Sequence, residues 1–179
     1  MKDYSLYLDH RALALQHVHT GEYLSEIVTT HGVYHSKLSP TTLLNRACLR
    51  NHSSMKGREE AVRKVFGFVQ KPPFLISEDV GVFPIMSSEH PECTWIFSHF
   101  FNMEVLGKKR TKLIFIDGTE IIVPVSHDVV IKQKTKLHTL LSHSYQLKQA
   151  YFADYPHSFV MERSDTTYST SSSKKKRKR

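Results

Sequence analysis

The chain has 179 residues, 40% of them apolar and 11% aromatic, and a formal charge of +8. Those values fit a globular domain with its own core and exclude a wholly disordered chain, and two cysteines, Cys48 and Cys93, are too few for a disulfide framework. No apolar run approaches ~20 residues and no apolar leader follows Met1-Lys2, so neither a membrane span nor export is expected, and the cysteines read as reduced, buried thiols. Six of the positive charges are the last six residues, 174–179, which leaves only +2 on the rest. Where the charges sit therefore matters more than their sum.

Residues 4–8 and 12–18 are apolar runs around Asp9-His10-Arg11, the pattern of two short strands and a polar turn. Residues 23–28 and 32–38 read as a second strand pair, with a single helical turn as the alternative for 23–28. Ser39-Pro40 starts a helix over about 40–50: Ser accepts a backbone N–H at the N-cap, and Pro is tolerated at the first helical position. Leu43, Leu44, Ala47 and Cys48 share one face, with Arg46 and Arg50 opposite. Residues 51–56 form a polar loop, Gly57 breaks it, and 58–66 is a second helix. Its apolar residues are Ala61, Val62, Val65 and Phe66, and Glu59 and Arg63 pair one turn apart. Seven basic residues lie between 46 and 71 (Arg46, Arg50, Lys56, Arg58, Arg63, Lys64, Lys71) against two acidic ones, Glu59 and Glu60.

Residues 71–100 hold four of the seven prolines and the only tryptophan. Lys71-Pro72-Pro73 sets an extended backbone. Short strands then follow at 74–76, 80–86 and 93–101, with Pro84 marking an edge strand or a bulge. Phe74, Phe83, Trp95 and Phe97 are expected to build the sheet on which the rest packs, with Trp95 buried against Phe83. Gly107-Lys108-Lys109-Arg110-Thr111-Lys112 is a compact basic turn before the apolar run 113–116. Asp117-Gly118 then predicts a hairpin with a type I′ turn, which places the basic turn at the exposed far end. Ser126 caps a third helix over about 127–150. Val130, Leu137, Leu140, Leu141, Tyr145 and Leu147 form its inner stripe, and Lys132, Lys134 and Lys136 lie outside it. Residues 151–161 are aromatic without a clear pattern. The expected architecture is α+β: a single domain over 1–162 with an antiparallel β-rich core, then a disordered Ser/Thr-rich and Lys/Arg-rich tail over 163–179.

Twelve histidines never join a cysteine pair at zinc-site spacing, so no metal and no cofactor are expected. No G-x-S-x-G, P-loop, H-E-x-x-H or G-x-G-x-x-G is present, so no catalytic residue is assigned. Cys48 with a histidine is not discounted by sequence, but nothing selects that pair. The loop near 51–57 is longer than the 3–4-residue turn of a helix-turn-helix. Two basic clusters are left as candidate DNA contacts. One is helical: Arg46, Arg50, Lys56, Arg58, Arg63 and Lys64. The other is at the hairpin end: Lys108, Lys109, Arg110 and Lys112. A solvated surface carries such clusters too, but they are also what a phosphate backbone seeks. The alternatives are a nucleic-acid enzyme with an unrecognised site and a protein-binding regulatory module without DNA binding.

Lys71-Pro72-Pro73, Phe83-Pro84, Ser87-Ser88, Pro91, Cys93 and Trp95-Ile96 stand in the order of a known signature. They resemble the central motif of the ComK family, the competence transcription factors of Firmicute bacteria. Arg46-Ala47-Cys48-Leu49, followed by Ser53-Ser54 and Gly57-Arg58, is similar to that family's Arg-Ser-Cys-Arg segment and the polar stretch after it. Asp117-Gly118 with 121–126 resembles its Asn-Gly hairpin and next strand. The resemblance covers roughly 4–141. It departs at Trp95-Ile96-Phe97-Ser98, where the family usually has Ser directly after Trp-Ile, which predicts a one-residue shift or bulge. The Ser/Thr stretch and basic tail are not family features. The resemblance implies a cytoplasmic, nucleoid-associated activator of DNA-uptake genes. It would bind A/T-rich promoter boxes, an A-run followed by a T-run, largely from the minor groove and as paired dimers. RNA polymerase and a Clp-protease adaptor are the implied protein partners. A groove only about 6 Å wide admits a loop or a side chain but not a helix. Arg110 is therefore the expected base-reading residue, because a guanidinium enters a narrow A-tract groove more readily than an ammonium. The loop at 87–91 is the next candidate.

Overall fold

The computed structural model describes residues 3–18 and 21–154. Strand β1 (Ala12–His17) begins with four side chains in succession that are at most 1% exposed. A strand apolar on both faces belongs in the middle of a sheet covered on both sides. β1 is flanked by β2 (Ser25–Thr29) on one side and by β6 (Trp95–Phe97) on the other. The full order is β3-β2-β1-β6-β5-β4, antiparallel throughout, with β3 at Gly32–Ser36, β4 at Phe74–Leu75 and β5 at Gly81–Pro84. A register shift between Ala12 and Ala14 puts Leu13 and Ala14 on the same side.

One face is covered by helices α1 (Pro40–Arg50) and α2 (Met55–Phe66). Leu43, Leu44, Ala47 and Cys48 of α1 meet Leu15, Ile27, Phe74, Val82, Trp95 and Phe97 there. Ser39 caps α1 as expected and accepts from the Thr42 N–H. The opposite face is covered by a three-stranded sheet, β7 (Phe101–Gly107), β8 (Arg110–Phe115) and β9 (Glu120–Val123), together with α3 (His127–Asp154). Leu113, Phe115, Ile121, Val123, Val130 and Leu137 pack there on Leu13, Phe83, Ile85 and Ile96. The protein is thus α+β, with an antiparallel core and three α-helices among the described residues.

Several expectations change. Residues 4–7 are a 3-10 turn and not a strand, because the Asp3 carboxylate accepts from both the backbone N–H and the hydroxyl of Ser5. Helix α2 starts at Met55, three residues early: Ser54 is its N-cap and accepts from the Gly57 N–H at 3.0 Å. Gly57 therefore lies inside the first turn. The connector from α1 is four residues, 51–54, which removes loop length as an argument against a helix-turn-helix. Val62 is the buried residue of α2's apolar set, whereas Ala61 and Val65 face solvent. Trp95 is fully buried, but its partner is Phe74, edge-on at 5.8 Å. Phe83 pairs with Ile96 and so points to the other side of the pleat. β6 is in regular register with β5 through Phe97, so the Trp-Ile-Phe departure is no bulge. Pro84 lies beyond the two-residue β4, where no N–H is needed on that side, and its carbonyl accepts from Gln133. The Asp117-Gly118 turn is not type I′, because only Gly118 has positive φ (86°). The Gly118 N–H closes onto the Phe115 carbonyl and Asp117 caps the Thr119 N–H, so a three-residue loop with a left-handed Gly forms instead. Tyr145 and Leu147 are exposed, because α3 has left the sheet by then. The tail expected at 163–179 lies outside the described residues.

Trp95 fills the centre of the helix-covered layer. Trp95→Ala is expected to cost about 3–5 kcal/mol, as truncation of a core aromatic does. Urea melts followed by circular dichroism measure it, since the variant loses the only indole.

Candidate nucleic-acid interface

A cation serves an external anion only if the fold leaves it unneutralised. Four of the six helical candidates are paired with groups of the protein itself. The Arg50 guanidinium grips the hydroxyl and carbonyl of Ser5, the latter at 2.6 Å, and lies 3.7 Å from Asp3. Arg58 donates to the Asn51 carbonyl at 2.7 Å and to the Leu75 carbonyl, tying the α1–α2 connector and α2 to β4. Arg63 pairs with Glu59 at 3.1 Å and donates to the Val69 carbonyl. Lys64 pairs with Glu60 at 2.9 Å, which holds the Lys64 ammonium above its ordinary value and the Glu60 carboxyl below its own. Arg46 and Lys56 are exposed and, among the described residues, have no hydrogen-bond or ion-pair partner.

The hairpin divides in the same way. At its root the Phe101 and Phe115 rings lie 5.5 Å apart. Further out Lys112 is clamped by Glu104 across the strand pair at 2.7 Å and by Glu120 on β9 at 3.5 Å, and the next residue towards the tip, the buried Thr111, donates its hydroxyl to the Val125 carbonyl at 2.9 Å. The Glu104 hydrogen bond raises the Lys112 ammonium's pKa. Beyond that clamp Gly107 pairs with Arg110, and Lys108-Lys109 form the two-residue tip. Lys108, Lys109 and Arg110 are exposed and unpaired among the described residues. The ten candidates therefore reduce to two sets of free cations, Arg46 with Lys56 and the tip triad. The sequence showed the charges but not their partners. The exceptions are the Glu59–Arg63 pair, expected from its one-turn spacing and found at 3.1 Å, the Glu60–Lys64 pair at the same spacing, and the two Lys112 contacts, which follow from strand register.

Cys48 and Cys93 are buried, and burial pushes each thiol up to about 11. A thiol kept protonated is a poor nucleophile, so the Cys48–His pair gains no support. Among the described residues no group of three or more His, Cys, Asp or Glu is placed to hold a metal. No helix among them is long and apolar enough to cross a membrane.

These features define an α+β domain that presents unneutralised cations on a hairpin tip and a helix pair. The family described as ComK protein matches residues 7–150, and the chain belongs to the ComK family. A curated relative, the competence transcription factor of Bacillus subtilis (strain 168), is 26% identical over 142 residues, covering 73% of each chain. No solved structure matches the chain. The family match runs past residue 141, where the motif resemblance fades, to the last turns of α3.

The division among the cations is measurable as stability. Arg58→Met is expected to cost about 1–3 kcal/mol by removing the charge-assisted donors to the Asn51 and Leu75 carbonyls, whereas Arg46→Ala stays within about 0.5 kcal/mol of the parent in the same urea melts.

Glu59 gives a pH signature. Burial raises its carboxyl pKa against the opposing pull of Arg63. The folded state then holds this proton more tightly than the unfolded chain does, and unfolding releases it. Its contribution to stability is therefore greatest below the ordinary value of 4.5 and falls as pH rises from there through the folded value. Glu59→Gln is expected to remove that decline, read as urea midpoints between about pH 4 and about pH 7.

Proposed function

We propose that this protein is a DNA-binding transcription activator of competence genes that recognises A/T-rich promoter boxes mainly from the minor groove. The observation that carries this reading is the hairpin tip. Three consecutive cations, Lys108, Lys109 and Arg110, stand on an exposed turn beyond the Lys112 clamp, with no carboxylate partner among the described residues. Unneutralised Lys and Arg release counterions from a phosphate backbone. A two-residue turn is also thin enough for a groove about 6 Å wide. Membership of the ComK family and the relative's printed name support the same function.

Within this reading the tip reads and the helix pair positions. Arg110 enters the minor groove, where A·T pairs offer only acceptors. Arg46 and Lys56 contact phosphates, which fix register without reading sequence. Arg50, Arg58, Arg63 and Lys112 are committed to partners within the fold, and Lys64 to its surface pair with Glu60. Binding as paired dimers, with RNA polymerase and a Clp-protease adaptor as partners, belongs to the same proposal.

The expected DNA affinity falls steeply with salt and favours an A/T-box duplex over a G/C-rich duplex of equal length. Arg110→Ala is expected to lose about 1–3 kcal/mol of that preference while keeping most non-specific affinity. Arg46→Ala is expected to lower both affinities together and flatten the log K against log salt slope by about one unit. Fluorescence anisotropy across a salt series measures all of these. A slope near zero, or a preference untouched by Arg110→Ala, rejects the assignment.

A further inference from the structure

A cavity of about 390 Å³ opens between the segment preceding β4 and the first turns of α3. Three of its lining residues are lysines, Lys71, Lys132 and Lys136, and none is acidic. The Lys71 ammonium donates to the Ile85 carbonyl at 3.1 Å and the Lys136 ammonium to the Gln70 carbonyl at 2.8 Å. Each is held in place by one neutral acceptor and keeps further N–H donors. Lys132 is exposed and unpaired among the described residues. Burial, and then the Lys71 charge, push the Lys136 ammonium below its ordinary value. Like charges gathered in one concavity without a carboxylate repel each other, and a bound anion relieves that repulsion.

The arrangement is built into the fold. Lys71 has a φ of 49°, which a residue with a side chain adopts only when its surroundings impose it. Here the buried Pro72 follows it, and the Gln133 amide, 3% exposed, donates to the carbonyls of Lys71 and Pro84 at 3.2 and 2.8 Å. Gln133 thus fixes the strained residue to α3, beside Lys132 and Lys136. A tetrahedral dianion with several oxygens suits a cavity lined by several lysines, and Thr135 adds a hydroxyl to the lining. Val129 and Ile131 form an apolar wall, and the volume falls within the range of about 300–1,000 Å³ typical of small-ligand sites.

We propose that this cavity is a phosphoryl-binding site formed by Lys71, Lys132 and Lys136, separate from the hairpin tip and the α1–α2 pair. The phosphoryl group belongs either to a small phosphorylated molecule or to a DNA backbone. Pyrophosphate is titrated calorimetrically into the full-length protein in phosphate-free buffer at constant ionic strength. A small-molecule site is expected to saturate at one equivalent. Affinity is expected to fall about tenfold or more in the double variant Lys132→Ala, Lys136→Met, which loses two charge-assisted donors. It is expected to persist in Lys108→Ala, Lys109→Ala, Arg110→Ala. If the backbone is the source, pyrophosphate does not saturate, and the double variant flattens the salt slope of duplex binding by about two units. Pyrophosphate binding that the double variant leaves intact overturns the proposal. So does absent pyrophosphate binding together with a parental salt slope. If Lys136→Met disturbs folding, Lys132→Ala alone decides by the same readouts, and parental values for both overturn the site.

Discussion

Strand β1 has no solvent face. Ala12, Leu13, Ala14 and Leu15 are all buried, so the sheet around them must be covered on both sides. That requirement organises the rest of the molecule. On one side α1 and α2 seal the layer that holds Trp95 and Phe74; on the other, the β7–β9 sheet and α3 seal the layer that holds Phe83 and Ile96. The hairpin earns its place through Phe101, Leu113 and Phe115 at its root, and once that root is buried its tip has no packing role. Rigid anchoring and a free end therefore come from the same strands.

Charge follows the same division. Near the body, cations are consumed by the structure: Arg50 holds the first turn, Arg58 holds the connector and β4, and Lys112 joins three strands through two carboxylates. Farther out, at Lys108, Lys109 and Arg110, no acidic residue among the described ones meets them. A surface salt bridge contributes little to stability, so a cation left without one loses little, and it remains available to an outside anion. The lysines around the α3 cavity are a third case. Lys71 and Lys136 are held by backbone carbonyls, which orient them without cancelling their charge.

Local patterns carried much of this into the sequence. Ser39-Pro40 marked α1 to the residue because capping depends on neighbours three positions away. The short strands at 74–75, 81–84 and 95–97 were legible from apolar runs between prolines and polar turns, and the basic turn was legible as a hairpin end. The ordered motifs from Lys71 to Ile96 were enough to place the chain in its family. Errors came where a nearby side chain outbid the pattern. Asp3 wound 4–7 into a 3-10 turn, and Ser54 started α2 before Gly57 could stop it.

What the sequence determined by itself was therefore the local record: element types, the hairpin, the buried tryptophan and the family. Tertiary structure alone decided which face each residue took and which charge met which. Phe83 and Trp95 are both core residues, but the pleat sends them to opposite layers. Arg46 and Arg50 look alike one turn apart, but only Arg50 reaches Ser5, forty-five residues away in sequence. Lys71 and Lys136 line one cavity through a fold that joins positions far apart in the chain. Such pairings depend on distances across space, and no periodicity along the chain encodes them.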